Sequence, residues 1–551
     1  MIDSEEVIES LLSNFPFDEL RPQQGSILTE LSKNWNDKKY FFIDAPTGVG
    51  KSGIALAIAK MTKSAFFLTS TKALQDQYMN DFNLPNIKGR SNYTCNLSPN
   101  FRVDVAPCLV KKELKSNCIA NSVCSYYTSV YRALGSPAFI TSYSYFIRSA
   151  EWGVLSNTNP SKSVARDVLI ADEAHEMERI ITDYISMDIS AKKLREYGIN
   201  IPDDYKFEDI NTTDDVDAIE SLCEIIEKRY DYLNNELEKA MNNAISWVSQ
   251  DYKNISKIAA EQIEILKKKV SAVRNIFTCF NFFTNNLHYD WLIVKNKKDN
   301  SLKLAPLNAG PAFHVFIKPL AKKFVFMSAS LGDKDTVYKE LGLNEKECVW
   351  ISVGTPFDPK KAPIASIGEV SLSKMNFNKN INTAVEVVCS IMETFPDKKG
   401  IIHTGNYQVA DAILGNSPSH VRRRLIGKSS SRSLISNEEM IFKHSKSNEP
   451  TVLISPSMMS GVDLKGDLST FQIIVKLPWS NLGDAWVKAK SEADGDWYTN
   501  DMIRKLVQAC GRSIRTEEDE ADTFIIDSSF KRIYNSKSAM FPKWFRERVI
   551  L

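Results

Sequence analysis

The chain has 551 residues, 43% of them hydrophobic and 25% charged, with a formal net charge of +1 at pH 7. This length predicts several domains, and the composition excludes collagen-like and disordered chains. The near-neutral charge leaves the type of partner open, because a basic groove can lie within a neutral total.

The sequence carries no predicted membrane or secretion signal. No apolar run reaches the roughly 18 residues that a membrane-spanning helix needs. The N-terminal stretch MIDSEEVIESLL is acidic, whereas a secretory signal peptide begins with positive charge. We therefore expect a cytoplasmic protein without a membrane partner, and the nine cysteines do not fit a disulfide framework.

The first predicted functional element is KKYFFIDAPTGVGKSGIALAIAK, which spans residues 38–60. It predicts a buried strand over 40–44, a glycine-containing loop and a helix that begins near Lys51. Lys51 can reach the terminal phosphates of a nucleotide, and the Ser52 hydroxyl can ligate Mg²⁺. Ala45 replaces the glycine that usually opens this pattern, so an ordinary strand-to-helix turn is the alternative. The predicted ATP-binding residues are Thr47, Gly48, Gly50, Lys51 and Ser52.

Four cysteines follow within thirty residues, at the spacing C-x12-C-x9-C-x5-C. This spacing lacks the paired C-x2-C units of most zinc ribbons, but four thiolates in polar loops can still converge on one metal centre. Zinc and iron–sulfur clusters both accept four thiolates, so the residues alone leave the metal open. The predicted ligands are Cys95, Cys108, Cys118 and Cys124.

The same region is locally basic and rich in aromatic residues. Residues 88–118 carry six basic and two acidic side chains, a net charge of +4 (6 − 2). Basic side chains interleaved with aromatic rings can bind single-stranded nucleic acid through phosphate contacts and base stacking. Arg90 and Tyr93 are the predicted contacts at the edge of this region.

An apolar strand ending in acidic residues supplies the second half of a nucleotide site. In DVLIADEAHEMERI, the strand over 168–171 leads into Asp172, Glu173 and His175. Asp172 can hold Mg²⁺, and Glu173 can orient and deprotonate the attacking water. His175 would sense the nucleotide state and pass it to the nucleic-acid side. Alone, an acidic pair before a histidine is more often a helix start, but together with Lys51 it indicates catalysis.

The positions between these motifs indicate insertions. Lys51 and Asp172 lie 121 positions apart (172 − 51), which is wider than a bare nucleotide-binding lobe needs. Helical periodicity dominates from Ile181 to about Leu304. A coiled-coil oligomerisation arm is the alternative interpretation of this helical stretch. Its two apolar runs are Ile219, Leu222, Ile226, Leu233, Leu237 and Met241, and then Ile255, Ile258, Leu266, Val270, Val273 and Phe277.

The far half of the chain contains the arginines that a second nucleotide-binding lobe would contribute. In LVQACGRSIRTEEDE, Gln508 and Gly511 precede Arg512 and Arg515, which fall one helical turn apart. Phosphoryl transfer needs positive charge near the leaving γ-phosphate, and these arginines can supply it. A solvated basic helix face is the alternative for this segment taken alone.

These segments together resemble the XPD/DinG branch of superfamily 2 helicases. The likeness rests on KGRSNYTC, DEAH, GVDLKGD and QACGRSIR, which occur in the expected order across most of the chain. The resemblance implies an α/β fold with two RecA-like P-loop lobes, and an iron–sulfur domain and a helical arch inserted in the first lobe. The implied domains are lobe 1 at 1–87, 127–180 and 305–350, the iron–sulfur domain at 88–126, the arch at 181–304 and lobe 2 at 351–551.

The resemblance also implies further site residues and a cofactor. Arg21 and Gln24 in ELRPQQGSIL match a motif whose glutamine reads the adenine edge. Gly461 and Asp463 match the loop that couples the second lobe to ATP and to the DNA backbone. In FVFMSASLGD, Ser330 stands where threonine is usual. The family holds a [4Fe–4S] cluster, which the four cysteines would ligate here.

The implied activity is that of an ATP-dependent DNA helicase that uses Mg²⁺. It would move 5′ to 3′ on single-stranded DNA, as a monomer, and open forked or 5′-tailed duplex DNA. The alternative is a nucleic-acid-dependent ATPase that remodels protein–DNA or RNA-containing complexes without processive unwinding. A fused N-terminal nuclease domain is not expected, because about forty residues precede the phosphate-loop strand.

Overall fold

The structure is a computed structural model in which most of the chain is described. The described residues are 3–97, 101–106, 108, 112–120, 123–151, 165–199, 201, 206–207, 216–246, 257–427, 436–458, 464, 466–511, 513 and 519–551.

Strands occur in both halves of the described chain. They are β1 Tyr40–Asp44, β2 Ala65–Thr69, β3 Asn86–Ile87, β4 Ala138–Ser142, β5 Arg166–Asp172, β6 Met187–Ser190, β7 Trp291–Asn296, β8 Ser301–Pro306, β9 Ala321–Ser328, β10 Cys348–Ser352, β11 Ile364–Val370, β12 Gly400–His403, β13 Leu425–Gly427, β14 Val452–Ser455, β15 Phe471–Ile474, β16 Asp522–Asp527 and β17 Val549–Ile550.

Helices alternate with these strands in most of the described chain. They are α1 Ser4–Ser13, α2 Pro22–Asn34, α3 Lys51–Met61, α4 Lys72–Phe82, α5 Lys112–Ala120, α6 Ser125–Leu134, α7 Tyr143–Glu151, α8 Met177–Tyr184, α9 Ala191–Glu196, α10 Val216–Ser246, α11 Lys257–Thr284, α12 Gly310–Ala312, α13 Lys334–Glu340, α14 Phe377–Thr394, α15 Tyr407–Asn416, α16 Ser419–Arg422, α17 Asn437–Lys446, α18 Ala485–Ala493, α19 Gly495–Cys510, α20 Ser529–Lys537 and α21 Lys543–Arg546.

The first lobe is built on a parallel sheet in the order β10-β1-β9-β5-β2-β4-β3. Strand β1 is buried along its whole length, as expected for a parallel strand covered on both faces. Its side chains alternate between two cores: Tyr40 and Phe42 pack on one face of the sheet, and Phe41 and Ile43 pack on the other. The carboxyl ends of β1, β5 and β9 meet at one edge, where the phosphate loop begins.

The second lobe repeats this architecture with a parallel sheet in the order β13-β14-β12-β15-β16-β11-β17. Helices α14 and α15 pack on one face around Val388 and Ile413, and α19 packs on the other around Leu506. These two parallel-sheet α/β lobes confirm the predicted fold class. The first sheet includes β10 through Ser352, and the second begins at Ile364.

A third unit lies between α8 and α12. Helices α10 and α11 pair along their length, and they contain the predicted apolar runs except Ile255, which lies outside the described residues. An antiparallel sheet in the order β6-β8-β7 forms the base of this unit. The helical periodicity predicted to dominate 181–304 did not indicate these strands. Strand β6 pairs with β8 more than 100 residues later in the chain, whereas β7 and β8 form a hairpin.

The cysteine-bearing segment packs against the first lobe. Cys95, Cys108, Cys118 and Cys124 belong to the same core as Phe101 and Val103, and Ile263 of α11 contacts it too. Among the helices of the described residues, none has the combination of length and apolar character that a bilayer-spanning segment needs.

Candidate functional site

The phosphate loop connects β1 to α3 at the carboxyl edge of the first sheet. Gly48 and Gly50 adopt φ values of +85° and +84°, a left-handed conformation that favours glycine. This conformation ends the loop at the N-terminus of α3, where main-chain N–H groups and the helix dipole favour a phosphate. The Lys51 ammonium donates to the carbonyl oxygens of Ala45 (2.9 Å) and Pro46 (3.1 Å). The loop, with Thr47 and Ser52 at its two ends, thus has the shape and charge to hold a triphosphate.

The start of α2 supports this loop from behind. The Gln24 side chain accepts from the Arg21 N–H (2.9 Å) and donates to the Gly50 carbonyl (3.5 Å). The Arg21 guanidinium donates to the Gly48 carbonyl. A Cβ atom on Gly50 would lie 2.4 Å from Gln24 Nε2, so a side chain there would displace the Gln24 amide, and the φ of +84° favours glycine. The structure thus places Arg21 and Gln24 directly against the phosphate loop.

The acidic pair stands at the end of β5, beside the loop. The buried Asp172 carboxylate accepts from the Tyr78 hydroxyl at Oδ2 (2.9 Å) and from the Glu173 N–H at Oδ1 (3.0 Å). Burial raises the pKa of Asp172, and the neighbouring Glu173 charge adds to this, while Lys51 opposes it. A nearby cation would stabilise the ionised form of this buried carboxylate. Asp172 and Ser52 therefore fit a Mg²⁺ ion in donor chemistry.

Glu173 has an unusual backbone conformation. Its φ is +53°, in the left-handed region that residues with a side chain rarely enter. This turn ends β5 and starts the short helical turn Ala174–Glu176. The Glu173 side chain is about one-third exposed, unlike its buried neighbour Asp172. The strained turn thus separates a buried carboxylate from an accessible one.

His175 links the acidic pair to the end of β9. Its Nδ1 lies 2.7 Å from the Ser328 hydroxyl and 3.3 Å from the Glu173 carboxylate. The Ser328 hydroxyl also accepts from the Ser330 N–H (3.1 Å). The predicted DEAH and SAS segments are therefore in contact. Hydrogen bonding to His175 is the main reason that the pKa of Glu176 falls to about 2.

Helix α19 of the second lobe runs along this edge of the first lobe. A cavity of about 390 Å³ separates them, and His175, Arg504 and Gln508 are among its lining residues. Gly511 lines a smaller gap with Pro46 and Thr47 of the phosphate loop. The four predicted residues Gly461, Asp463, Arg512 and Arg515 lie outside the described residues.

The structure reveals a buried ion-pair network between the lobes that the sequence did not predict. The Arg504 guanidinium donates to both carboxylate oxygens of Glu340 (3.2 and 2.9 Å) and to the Leu331 carbonyl (2.8 Å). The Lys490 ammonium contacts the Glu178 carboxylate. Arg504 lies one helical turn before Gln508, and this spacing on one face of α19 was the available signal.

Aromatic residues complete this contact between the lobes. The Lys490 ammonium lies over the rings of Trp486 (5.2 Å) and Trp497 (5.0 Å). The indole N–H of Trp497 donates to Glu178 (3.3 Å), and that of Trp486 donates to the Pro306 carbonyl at the end of β8 (2.9 Å). The second lobe thus contacts both α8 and the β6-β8-β7 sheet.

All four clustered cysteines are buried, with exposed fractions of 7–8%. Burial, and then the charges of Cys95, Cys124 and Cys118, raise the pKa of Cys108 to about 11, which Arg90 opposes. The thiols therefore lie close enough to interact, and a positive centre would stabilise them as thiolates. No group of three or more His, Cys, Asp or Glu side chains in the described residues is arranged to hold a metal ion. Four thiolates are a donor set that both a zinc ion and a [4Fe–4S] cluster accept.

The predicted DNA contacts Arg90 and Tyr93 lie beside these thiols. The Arg90 guanidinium lies over the Tyr126 ring (5.2 Å), and the Tyr93 ring packs edge-on against Tyr126 (5.5 Å). The Tyr93 hydroxyl accepts from the Lys88 N–H (3.2 Å). Both residues thus form part of the packing around the cysteine segment.

Two family models match the sequence in its two lobes. Residues 391–548 match the helicase C-terminal domain, and residues 17–197 match the family described as type III restriction enzyme, res subunit. The ATP-dependent DNA helicase YoaA of Haemophilus influenzae is 22% identical over 611 aligned positions, which cover 92% of this chain and 91% of that protein. YoaA of Escherichia coli K12 is 20% identical, with 88% of each chain covered.

Solved XPD structures share the fold. One XPD helicase aligns with a TM-score of 0.62 at 14% identity, covering 97% of this chain and 100% of that one. Xpd4 of S. tokodaii aligns with a TM-score of 0.54 at 13% identity, covering 96% and 100%. The sequence relatives that align along most of the chain, the match to the helicase C-terminal domain and the two-lobed fold shared with XPD structures together support an XPD/DinG-like superfamily 2 helicase.

Proposed function

We propose that this protein is an ATP-dependent DNA helicase that moves 5′ to 3′ along single-stranded DNA. The observation that carries the proposal is the arrangement of Lys51, Asp172 and Glu173 at one sheet edge, with α19 of the second lobe across the cleft. The sequence relatives that align along most of the chain are ATP-dependent DNA helicases, which supports DNA as the substrate.

In this proposal the phosphate loop binds ATP and the acidic pair promotes hydrolysis. The N–H groups at the start of α3 and the Lys51 ammonium hold the terminal phosphates. Ser52 and Asp172 would hold Mg²⁺, which when bound neutralises charge on the β- and γ-phosphates. Glu173, on the accessible side of the strained turn, orients the attacking water and accepts its proton.

The second lobe would complete the site and couple it to DNA. Arg512 and Arg515 follow Gly511, which lines a gap beside the phosphate loop, so this position supports a role at the γ-phosphate. Gly461 and Asp463 are proposed to contact the DNA backbone. The contact of His175 with Ser328 joins the acidic pair to β9, and this provides a route from nucleotide to nucleic acid.

The two insertions would separate the strands of a forked or 5′-tailed duplex. We propose that Cys95, Cys108, Cys118 and Cys124 hold a [4Fe–4S] cluster within 88–126, and that 181–304 forms the arch. When bound, the cluster anchors loops whose polar composition gives them little core of their own. The first lobe would then comprise 1–87, 127–180 and 305–350, and the second 351–551, with the protein acting as a monomer.

Strand displacement tests the proposal. Wild-type protein with ATP and Mg²⁺ is expected to separate a 5′-tailed duplex and leave a 3′-tailed duplex intact. Lys51→Ala and Glu173→Gln are expected to lose at least 100-fold in ATP turnover while their circular dichroism spectra remain unchanged. DNA-stimulated ATP hydrolysis without displacement of any tailed duplex would contradict the helicase and favour a remodelling ATPase.

A further inference from the structure

The hydroxyl of Tyr78 contacts one of the side chains assigned to Mg²⁺. It donates to Asp172 Oδ2 (2.9 Å). Tyr78 comes from α4, and its ring is only 1% exposed between Phe67 (5.7 Å) and Phe82 (5.8 Å). The ring is therefore fixed by packing, and the hydroxyl has a defined place.

Two hydrogen bonds hold the Asp172 carboxylate in one orientation. The Tyr78 hydroxyl donates to Oδ2, and the Glu173 N–H donates to Oδ1. The remaining lone pairs of the carboxylate are available to a cation. Oriented ligands bind a metal more tightly than free ones, because their rotational freedom is already lost.

We propose that Tyr78 is a positioning residue that pre-orients the Asp172 carboxylate for Mg²⁺. This inference rests on the proposed function, since it assigns a role within the same nucleotide site. Tyr78 itself contacts neither the nucleotide nor the ion. Its removal should raise the Mg²⁺ concentration that nucleotide binding needs, without changing how the nucleotide binds in the absence of the metal.

The test is a Tyr78→Phe variant, which keeps the ring and removes one oxygen. Binding of N-methylanthraniloyl-ADP is followed by fluorescence while MgCl₂ is titrated, and again in EDTA. We expect the half-saturating Mg²⁺ concentration to rise about five-fold, consistent with the loss of one hydrogen bond at Asp172. The dissociation constant in EDTA should stay within two-fold of the wild-type value.

Tyr143→Phe is the matched control. Tyr143 is equally buried, and its hydroxyl donates to the main-chain carbonyl of Asp172 (2.9 Å), so the variant loses a similar hydrogen bond at the same residue. It does not touch the carboxylate, and its Mg²⁺ titration should match the wild type. Melting temperatures of all variants establish that they are folded.

The outcomes separate this inference from the proposed function. If the wild-type protein bound no nucleotide, that result would contradict the proposed ATP site itself. Wild-type protein with Mg²⁺-dependent binding, but with Tyr78→Phe identical to it, would overturn only the role of Tyr78. Equal shifts in Tyr78→Phe and Tyr143→Phe would also overturn that role, because they would indicate a general loss of packing.

Discussion

Asp44 is a buried acid directly before the phosphate loop. Only 2% of the residue is exposed, and its Oδ2 accepts from the Ser352 hydroxyl (3.0 Å). Burial raises its pKa from 3.8 to about 7, although the Ser352 hydrogen bond and Lys51 oppose the change. Between these two pH values the folded protein binds more protons than the unfolded chain. The contribution of Asp44 to the stability of the folded protein therefore falls as the pH rises from about 4 to 7.

Asp44→Asn should remove this pH dependence. We expect the difference in melting temperature, variant minus wild type, to increase from pH 5 to pH 8 in nucleotide-free buffer. Thermal unfolding followed by circular dichroism measures the difference. Asp335→Asn changes an exposed acid on α13 and should leave the wild-type pH dependence unchanged. Parallel curves for Asp44→Asn and the wild type would show that Asp44 does not titrate in this range.

At the residue scale, the sequence predicted what depends on neighbours in the chain. Lys51 follows a glycine loop between an apolar strand and a helix, and Asp172 ends an apolar strand, so local pattern was sufficient. The contact of Tyr78 with Asp172 joins positions 94 residues apart, and nothing in the sequence around Tyr78 indicates it. The strained φ of Glu173 is likewise set by the surrounding turn.

At the element scale, the four clustered cysteines lie in the segment between β3 and α6. Cys108 has thiol neighbours from three other positions, and its thiol is buried. Cys108→Ser should lower the iron content of anaerobically purified protein from four atoms per chain and abolish unwinding, while some ATP hydrolysis remains. Iron assay, visible absorption and strand displacement check this.

The matched control for this variant is Cys389→Ser. Cys389 is also buried, but it lies on α14 in the second lobe beside Ser417 (3.5 Å). Its iron content and unwinding should equal those of the wild type. A colourless wild-type protein with one zinc ion per chain would contradict the cluster.

Helices α10 and α11 show why periodicity predicts a helix better than it predicts the short strands that pack beside it. Helices α10 and α11 have long apolar faces, and these repeat at helical spacing within each segment. Strand β6 has only four residues, and its partner β8 begins more than 100 residues later. Such a short strand gains its stability from that distant pairing, so the local sequence contains little sign of it.

At the scale of the whole molecule, the ion pairs of Arg504 connect the two lobes. Glu340 is 3% exposed, and Arg504 is its partner in a bidentate pair. Arg504→Met should lower the free energy of unfolding by about 3 to 5 kcal/mol, because a buried carboxylate loses its counter-charge. Urea denaturation followed by circular dichroism measures this.

Two further variants separate the ion pair from a general effect on α19. Lys505→Met, at the next residue, removes a half-exposed pair with Asp501 and should cost less than about 1 kcal/mol. The double variant Arg504→Met/Glu340→Gln should recover part of the loss, since no buried charge remains unpaired. Equal destabilisation by Arg504→Met and Lys505→Met would contradict a special role for this pair.

Helix α19 has a mechanical consequence. Between Trp497 and Gln508 it contains neither glycine nor proline, and at 1.5 Å per residue this stretch is a stiff rod of about 16 Å. Gln508 lines the cavity beside His175, and Trp497 packs edge-on against Trp486, whose indole N–H donates to the Pro306 carbonyl. A stiff helix moves as one body. A displacement of α19 at Gln508 is therefore expected to displace Trp497 and its contact with Trp486 as well.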